Sequence, residues 1–169
     1  MTKSKISLHL LGINNDHPPI FFQLSNLIKD NEYIVVTNKD QIPHTINELI
    51  EEYYNKEIKR LDTTNWKRID KIFAFEGDKW NGSCQPTNAL PNKRFEYLYY
   101  ADETLIICST SGGFAVSPWH EFYEINDDRL EFIGEINTLS KGMFNLSLML
   151  KFDNDLVDWS AIETNSILK

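Results

Sequence analysis

The spacing of apolar residues changes near residue 67 of this 169-residue chain. Before that point, apolar positions recur every three or four residues over two stretches, which is the period of an amphipathic helix. After it, apolar and polar residues alternate, which is the period of a strand with one buried face. The pattern predicts an α+β fold in which two N-terminal helices pack on a mostly antiparallel β-sheet.

The N-terminal part predicts two strands and two helices. Residues 5–11 and 32–36 read as strands. The first helix follows Asp16 and two prolines, which a first helical turn tolerates, and its apolar stripe ends at Ile28. The second helix spans 42–61, where apolar residues occupy one face and charged residues the other.

The alternating part predicts five successive strands separated by turn residues. Their ranges are 69–77, 94–101, 103–110, 113–125 and 129–136. Residues 78–93 are a long loop, and residues 144–152 are most simply a further strand, with a helix as the alternative. The tail from Asp158 is predicted as a short final helix. Because no repeat or linker divides the chain, we expect residues 1–169 to form a single domain.

Residues 108–122, CSTSGGFAVSPWHEF, combine the residue types of a reaction centre. A glycine-rich phosphate loop must open a helix, but the residues after Gly112–Gly113 have an extended pattern, so these glycines predict a two-residue hairpin turn. That register pairs Cys108 with Ser117 and turns Cys108 and His120 to opposite faces. We therefore expect no Cys108/His120 dyad. Because both faces of this hairpin are apolar, we interpret Cys108 as a small buried hydrophobic residue.

Charge and cysteine content narrow the class of protein. The formal net charge of −8 argues against a nucleic-acid partner, since such binders concentrate Lys and Arg. Cys84 and Cys108 are interpreted as free thiols because a chain of this length needs no disulfide. With neither a signal peptide nor an apolar run of membrane-spanning length in the sequence, we expect a cytoplasmic protein that binds no membrane.

The residues give no pattern for a metal, a cofactor or a catalytic set. The four histidines are scattered, and residues 153–158 lack the glycine and the terminal glutamate of a calcium loop. We therefore assign no catalytic residue, no metal ligand and no cofactor.

Acidic residues gather around the predicted turn at residues 126–128. A basic protein could dock there, with the loop residue Trp80 as an aromatic anchor. The alternative for the acidic residues is that they protect a sheet edge from aggregation, and the alternative for Trp80 is that its loop folds as a lid over a sheet face. The candidate partner-binding residues are Glu121, Glu124, Asp127, Asp128, Glu131 and Trp80.

Two functional hypotheses follow. The favoured one is a small acidic protein-binding domain, of the kind found in bacterial immunity or antitoxin-type inhibitors, that covers a basic surface of its partner. The alternative is a small enzyme or ligand-binding protein with a pocket under residues 78–93, formed by Glu76, Asp78, His120 or Cys84. Both a monomer and a homodimer remain open.

Overall fold

The computed structural model describes residues 2–10, 26–28, 31–58, 68–82, 90–112, 117–138, 148–152 and 160–163. The strands are β1 (Thr2–Leu10), β2 (Glu32–Val36), β3 (Phe73–Ala74), β4 (Lys93–Ala101), β5 (Thr104–Ser111), β6 (Ser117–Asn126), β7 (Arg129–Thr138), β8 (Leu148–Phe152) and β9 (Ser160–Glu163). The helices are α1 (His44–Ile58) and α2 (Ile69–Ile72), and a 3-10 turn, Lys39–Gln41, precedes α1.

The strands form one sheet that closes on itself. Their order is β2-β1-β8-β9-β7-β6-β5-β4-β3, and β2 also pairs with β4. Every pairing is antiparallel except that of β3 with β4. Eight strands therefore follow one another in a continuous circuit, in which each is paired on both sides.

Both faces of this sheet are buried in the part that the structure describes. Helices α1 and α2 cover the outer face, where the most deeply buried core residues are Val36, Ile50, Ile72, Phe73, Leu98, Leu105, Ile107 and Tyr123. The opposite, inner face is turned toward the inside of the circuit and carries the buried residues Tyr33, Tyr99, Ile106 and Phe122. The two apolar faces of β5 predicted from the sequence are thus both covered.

Helix α1 packs on the sheet through residues four positions apart. Ile46, Ile50 and Tyr54 are buried against the outer face, whereas Glu48 and Glu52 are exposed. Residues spaced by four lie on one side of a helix, so the apolar stripe read from the sequence becomes the packing face.

The predicted pair of N-terminal helices is not matched. Within the described ranges, α1 is the one helix longer than about a turn, and residues 11–25, which carry most of the first predicted helix, lie outside them. Residues 69–72 form the short α2 and not the start of a strand, because Ile69 and Ile72, three positions apart, both reach the core from one helical turn.

The C-terminal tail also differs from its prediction. Residues 160–163 form the strand β9 and not a helix. This strand fills the gap between β7 and β8, where pairing with both neighbours outweighs local preference. Residues 148–152 are a strand, as expected.

The hairpin register predicted for β5 and β6 is wrong. Ser111 pairs with Ser117, so the connection spans residues 112–116 and is not a two-residue turn. Gly112 does not have a positive φ. A Cβ atom at this position would lie 1.8 Å from the backbone oxygen of Asn81, so the glycine is required by the close approach of another segment.

Asn81 fastens the loop after β3 to the start of β4. Its side-chain amide donates to the Leu90 carbonyl and to Asn92 Oδ1, both at 2.8 Å. The Gly112 N–H donates to the Asn92 carbonyl at 3.1 Å, which joins the end of β5 to the same loop. These contacts position Lys93, the first residue of β4.

Gly112→Ala should lower the free energy of unfolding by about 2–3 kcal/mol, because the added methyl group overlaps backbone atoms that three hydrogen bonds hold in place. Urea unfolding followed by tryptophan fluorescence measures this change. Gly77→Asn is the control, since Gly77 has φ 86 with open space around its Cβ position and Asn tolerates the left-handed region. Equal stability of Gly112→Ala and the unmodified protein would contradict the close approach.

Candidate functional site

A groove opens between α1 and one end of the sheet. At this end, a 2.9 Å hydrogen bond from the Ile125 N–H to the Glu103 carbonyl joins the end of β6 to the turn between β4 and β5. The groove has a volume of about 940 Å³, near the upper end of the range of about 300–1,000 Å³ for ligand-binding clefts. Its base consists of buried or half-buried apolar side chains: Ile34, Ile46, Leu49, Tyr100 and Ile125.

Exposed carboxylates surround this apolar base. Glu48 and Glu52 lie on α1 and form the helix wall, whereas Asp102, Asp127 and Asp128 lie on the two turns and form the turn wall. Among the described lining residues, Glu32 at the start of β2 is the sixth acidic one, and Lys3 is the one Lys or Arg. We call the site formed by these residues and the apolar base the acidic groove.

The two walls differ in how far the chain neutralises them. Three lining carboxylates have partners: Glu32 lies 2.6 Å from Lys3, Glu48 lies 3.1 Å from His44, and Glu52 contacts Lys56. No Lys, Arg or His in the described ranges forms an ion pair with Asp102, Asp127 or Asp128. Within the part of the chain that the structure describes, the turn wall therefore carries the carboxylates of the groove that have no cationic partner.

The turn between β6 and β7 is tight. Asn126 pairs with Arg129, which leaves Asp127 and Asp128 as a two-residue turn. Asp127 has φ 53, in the left-handed region, where Asp is tolerated better than most residues. The turn holds two carboxylates at the end of a rigid hairpin.

The structure separates the acidic residues that the sequence grouped. Asp127 and Asp128 line the groove, but Glu124 and Glu131, which pair with each other across β6 and β7, do not. Glu131 is exposed and accepts a hydrogen bond from Asn126 at 3.1 Å.

The expectation that Glu121 is an exposed partner-binding residue is wrong. Glu121 is 6% exposed and lies opposite Ile107 on the outer face, which α1 covers. Glu121 accepts hydrogen bonds from the Tyr54 hydroxyl at 2.8 Å and from the Lys93 ammonium at 2.6 Å. Alternation along β6 turns this side chain into the core, where its charge is paired.

Lys93, Tyr54 and Glu121 form a polar cluster within the core. The Tyr54 hydroxyl lies 3.4 Å from the Tyr123 hydroxyl, and Lys93 Nζ lies 5.3 Å from the centre of the Tyr54 ring. Burial opposes the charge on Lys93, but the Glu121 carboxylate and Tyr54 together outweigh it, so the pKa of Lys93 is raised. Burial and the Glu121 charge also raise the pKa of Tyr54. The cluster thus joins α1 to β4 and β6 with both donors protonated near neutral pH.

Cys108 and His120 are direct cross-strand neighbours on the inner face, contrary to the predicted register. The Tyr97 hydroxyl lies 3.3 Å from His120 Nε2. Burial raises the pKa of the Cys108 thiol well above its usual value and lowers the pKa of His120 to about 4. A neutral thiol beside a neutral imidazole lacks the thiolate that nucleophilic catalysis needs. Burial therefore supports the interpretation of Cys108 as a core residue.

Trp80 lies apart from the acidic groove and is half-buried. The Arg94 guanidinium stands 5.4 Å from the centre of its ring, and Gly82 packs against the same ring. These contacts hold Trp80 against its own chain.

Of the residues proposed for the alternative pocket, His120 does not share a surface with Glu76 and Asp78. His120 is buried on the inner face, whereas Glu76 and Asp78 are exposed in a turn, where Asp78 accepts the Phe75 N–H at 3.0 Å. Cys84 lies outside the described residues.

The sequence pattern missed four of the six acidic residues of the groove: Glu32, Glu48, Glu52 and Asp102. Each is an ordinary exposed residue of a helix, a strand end or a turn. Their convergence depends on strand pairing and on where α1 crosses the sheet, and neither leaves a local signal.

Comparisons with protein-family models, with curated proteins and with solved structures found no match to this chain. Among the residues that the structure describes, no three His, Cys, Asp or Glu residues are grouped so that they could hold a metal ion. In the same ranges, each helix is too short or too polar to cross a membrane.

Glu121→Gln should lower the free energy of unfolding by about 2–3 kcal/mol, because it leaves the Lys93 ammonium without its main counter-charge in a largely buried site. The double variant Lys93→Met/Glu121→Gln removes that cation and should recover at least half of the loss. Urea unfolding of the three proteins measures both changes. A single variant as stable as the unmodified protein would show that the pair contributes nothing.

Stability should fall on acidification because of His120. Its pKa is about 6.5 in the unfolded chain and about 4 in the fold, so the unfolded state takes up a proton first and unfolding becomes easier as pH falls between these values. The contribution between pH 7 and pH 5 is about 2 kcal/mol. We expect His120→Gln, although less stable at pH 7, to lose less stability over this interval. Parallel pH dependences of the two proteins would refute the buried neutral imidazole.

Proposed function

We propose that this chain is an acidic protein-binding domain that covers a basic surface of a partner protein, in the manner of an immunity or antitoxin-type inhibitor. The observation that carries the proposal is the acidic groove, in which exposed carboxylates stand over an apolar base. Carboxylates attract Lys and Arg side chains, and the apolar base adds contact area that excludes water.

The overall charge supports the same proposal. A net charge of −8 sets up a negative field around the chain, and such a field accelerates the approach of a cationic protein and repels anionic ones. At physiological ionic strength the field is screened beyond about 8 Å, so the carboxylates of the groove dominate at short range.

A catalytic function is not favoured by the side chains that the structure brings together. Lys93, Tyr54 and Glu121 are engaged with one another in the core. The Cys108 thiol stays protonated. The described lining residues of the acidic groove include no Ser, Cys or His, the residue types of the common nucleophile–base pairs.

Binding should depend on the charge of the groove and not on charge in general. The test compares Asp102→Lys/Asp128→Lys with Asp40→Lys/Glu76→Lys, which changes the net charge equally at exposed positions outside the groove. The tagged proteins are used for affinity capture from the native host at low and high salt, and the affinity for each captured protein is then measured by calorimetry.

We expect a basic partner whose affinity falls at least about tenfold with the groove variant and by less than about threefold with the control. Salt should weaken the unmodified complex. Equal effects of the two variants, or the capture of partners that are not basic, would rule out the proposed function.

A further inference from the structure

The acidic groove is asymmetric in both charge and polarity. Glu52 of the helix wall has the cationic partner Lys56 and Glu48 contacts His44, whereas the three aspartates of the turn wall contact no Lys, Arg or His in the described ranges. Between the walls, the base is apolar. An occupant therefore meets unpaired negative charge on one side and an apolar surface beneath.

We propose that the occupant of the groove is a basic amphipathic segment of a protein. Its apolar side chains contact the base formed by Ile34, Tyr100 and Ile125, and its Lys or Arg side chains pair with the turn wall. This inference rests on the proposed function and deepens it, because it specifies which part of a basic partner is recognised.

Charge complementarity and the size of the groove select this occupant. A cation that approaches Glu52 must compete with Lys56, whereas Asp102 and Asp128 have no Lys, Arg or His partner among the described residues. A single small cation would leave the apolar base exposed, and a volume of about 940 Å³ accommodates several side chains. Burying apolar side chains on the base adds a contribution that salt does not screen.

The backbone that carries the aspartates of the turn wall is held in place by hydrogen bonds. Both turns connect paired strands, and the hydrogen bond from the Ile125 N–H to the Glu103 carbonyl joins the end of β6 to the turn between β4 and β5. The carboxylates are thus presented from rigid supports, which reduces the conformational entropy lost on binding.

The test uses two synthetic peptides of equal charge. The first has Leu at every third or fourth position and Lys between, and the second has Ser in place of each Leu. Their affinities are measured by fluorescence anisotropy against the unmodified protein, against Asp102→Asn/Asp128→Asn, and against Glu48→Gln/Glu52→Gln. The two variants remove the same charge from opposite walls at exposed positions, and circular dichroism checks that each is folded.

We expect the Leu peptide to bind at least about tenfold more tightly than the Ser peptide. The turn-wall variant should weaken the Leu peptide about tenfold, and the helix-wall variant less than about threefold. Equal binding of the two peptides, an equal loss with both variants, or full displacement of the Leu peptide by an equimolar amount of spermine would overturn the inference.

Failure of the amphipathic-segment inference is distinguishable from failure of the proposed function. If the native partner loses affinity with Asp102→Lys/Asp128→Lys while the two peptides bind equally, the groove still binds a basic surface but does not recognise an amphipathic segment. If the native partner is indifferent to the groove variant, the proposed function fails whatever the peptides do.

Discussion

The pairing of β2 with both β1 and β4 is the constraint on which the rest of the structure depends. It turns an open antiparallel sheet into a closed circuit with an inner and an outer face. Closure satisfies the backbone groups of strands that would otherwise be edges, and it requires strands that are apolar on both sides. In β5, seven of the eight residues are buried, and the run from Leu105 to Cys108 is apolar on both faces.

Closure also decides how the polar residues are distributed. On the outer face, the charge of Glu121 is tolerated because α1 brings the Tyr54 hydroxyl and β4 brings Lys93 to it. On the inner face, His120 and Cys108 meet beside Tyr97 and stay neutral, since a charge there would be buried without a counter-ion. The same sheet thus holds one ion-paired cluster and one neutral cluster, and neither is exposed for chemistry on a substrate.

The acidic groove follows from the way α1 covers the sheet. Among the described residues, the helix packs across the outer face and leaves open the end of the sheet where β2 begins and where β4 and β6 end in turns. Turns carry polar residues because their backbone groups are hydrogen-bonded to water at the surface and because residues such as Asp tolerate the φ values that turns require. Acidic residues at these turns therefore stand beside half-buried apolar residues of the strands, which is the combination that a basic amphipathic partner fits.

The sequence by itself determined the local elements: the strand at 32–36 matches β2 residue for residue, and the apolar stripe of 42–61 contains α1. Periodicity reports which side of an element is apolar, so it also indicated that both faces of β5 would be covered. Tertiary structure decided what a local pattern does not encode, namely which strands pair and in which register. The register differs by three residues from the predicted one and places Cys108 opposite His120. Gly112 is required by the close approach of the Asn81 backbone and not by a turn. Whether Glu121 could be buried as a charged residue depended on Tyr54 and Lys93. The groove draws its described carboxylates from four separate segments, because long-range packing brings together residues that share no sequence signal.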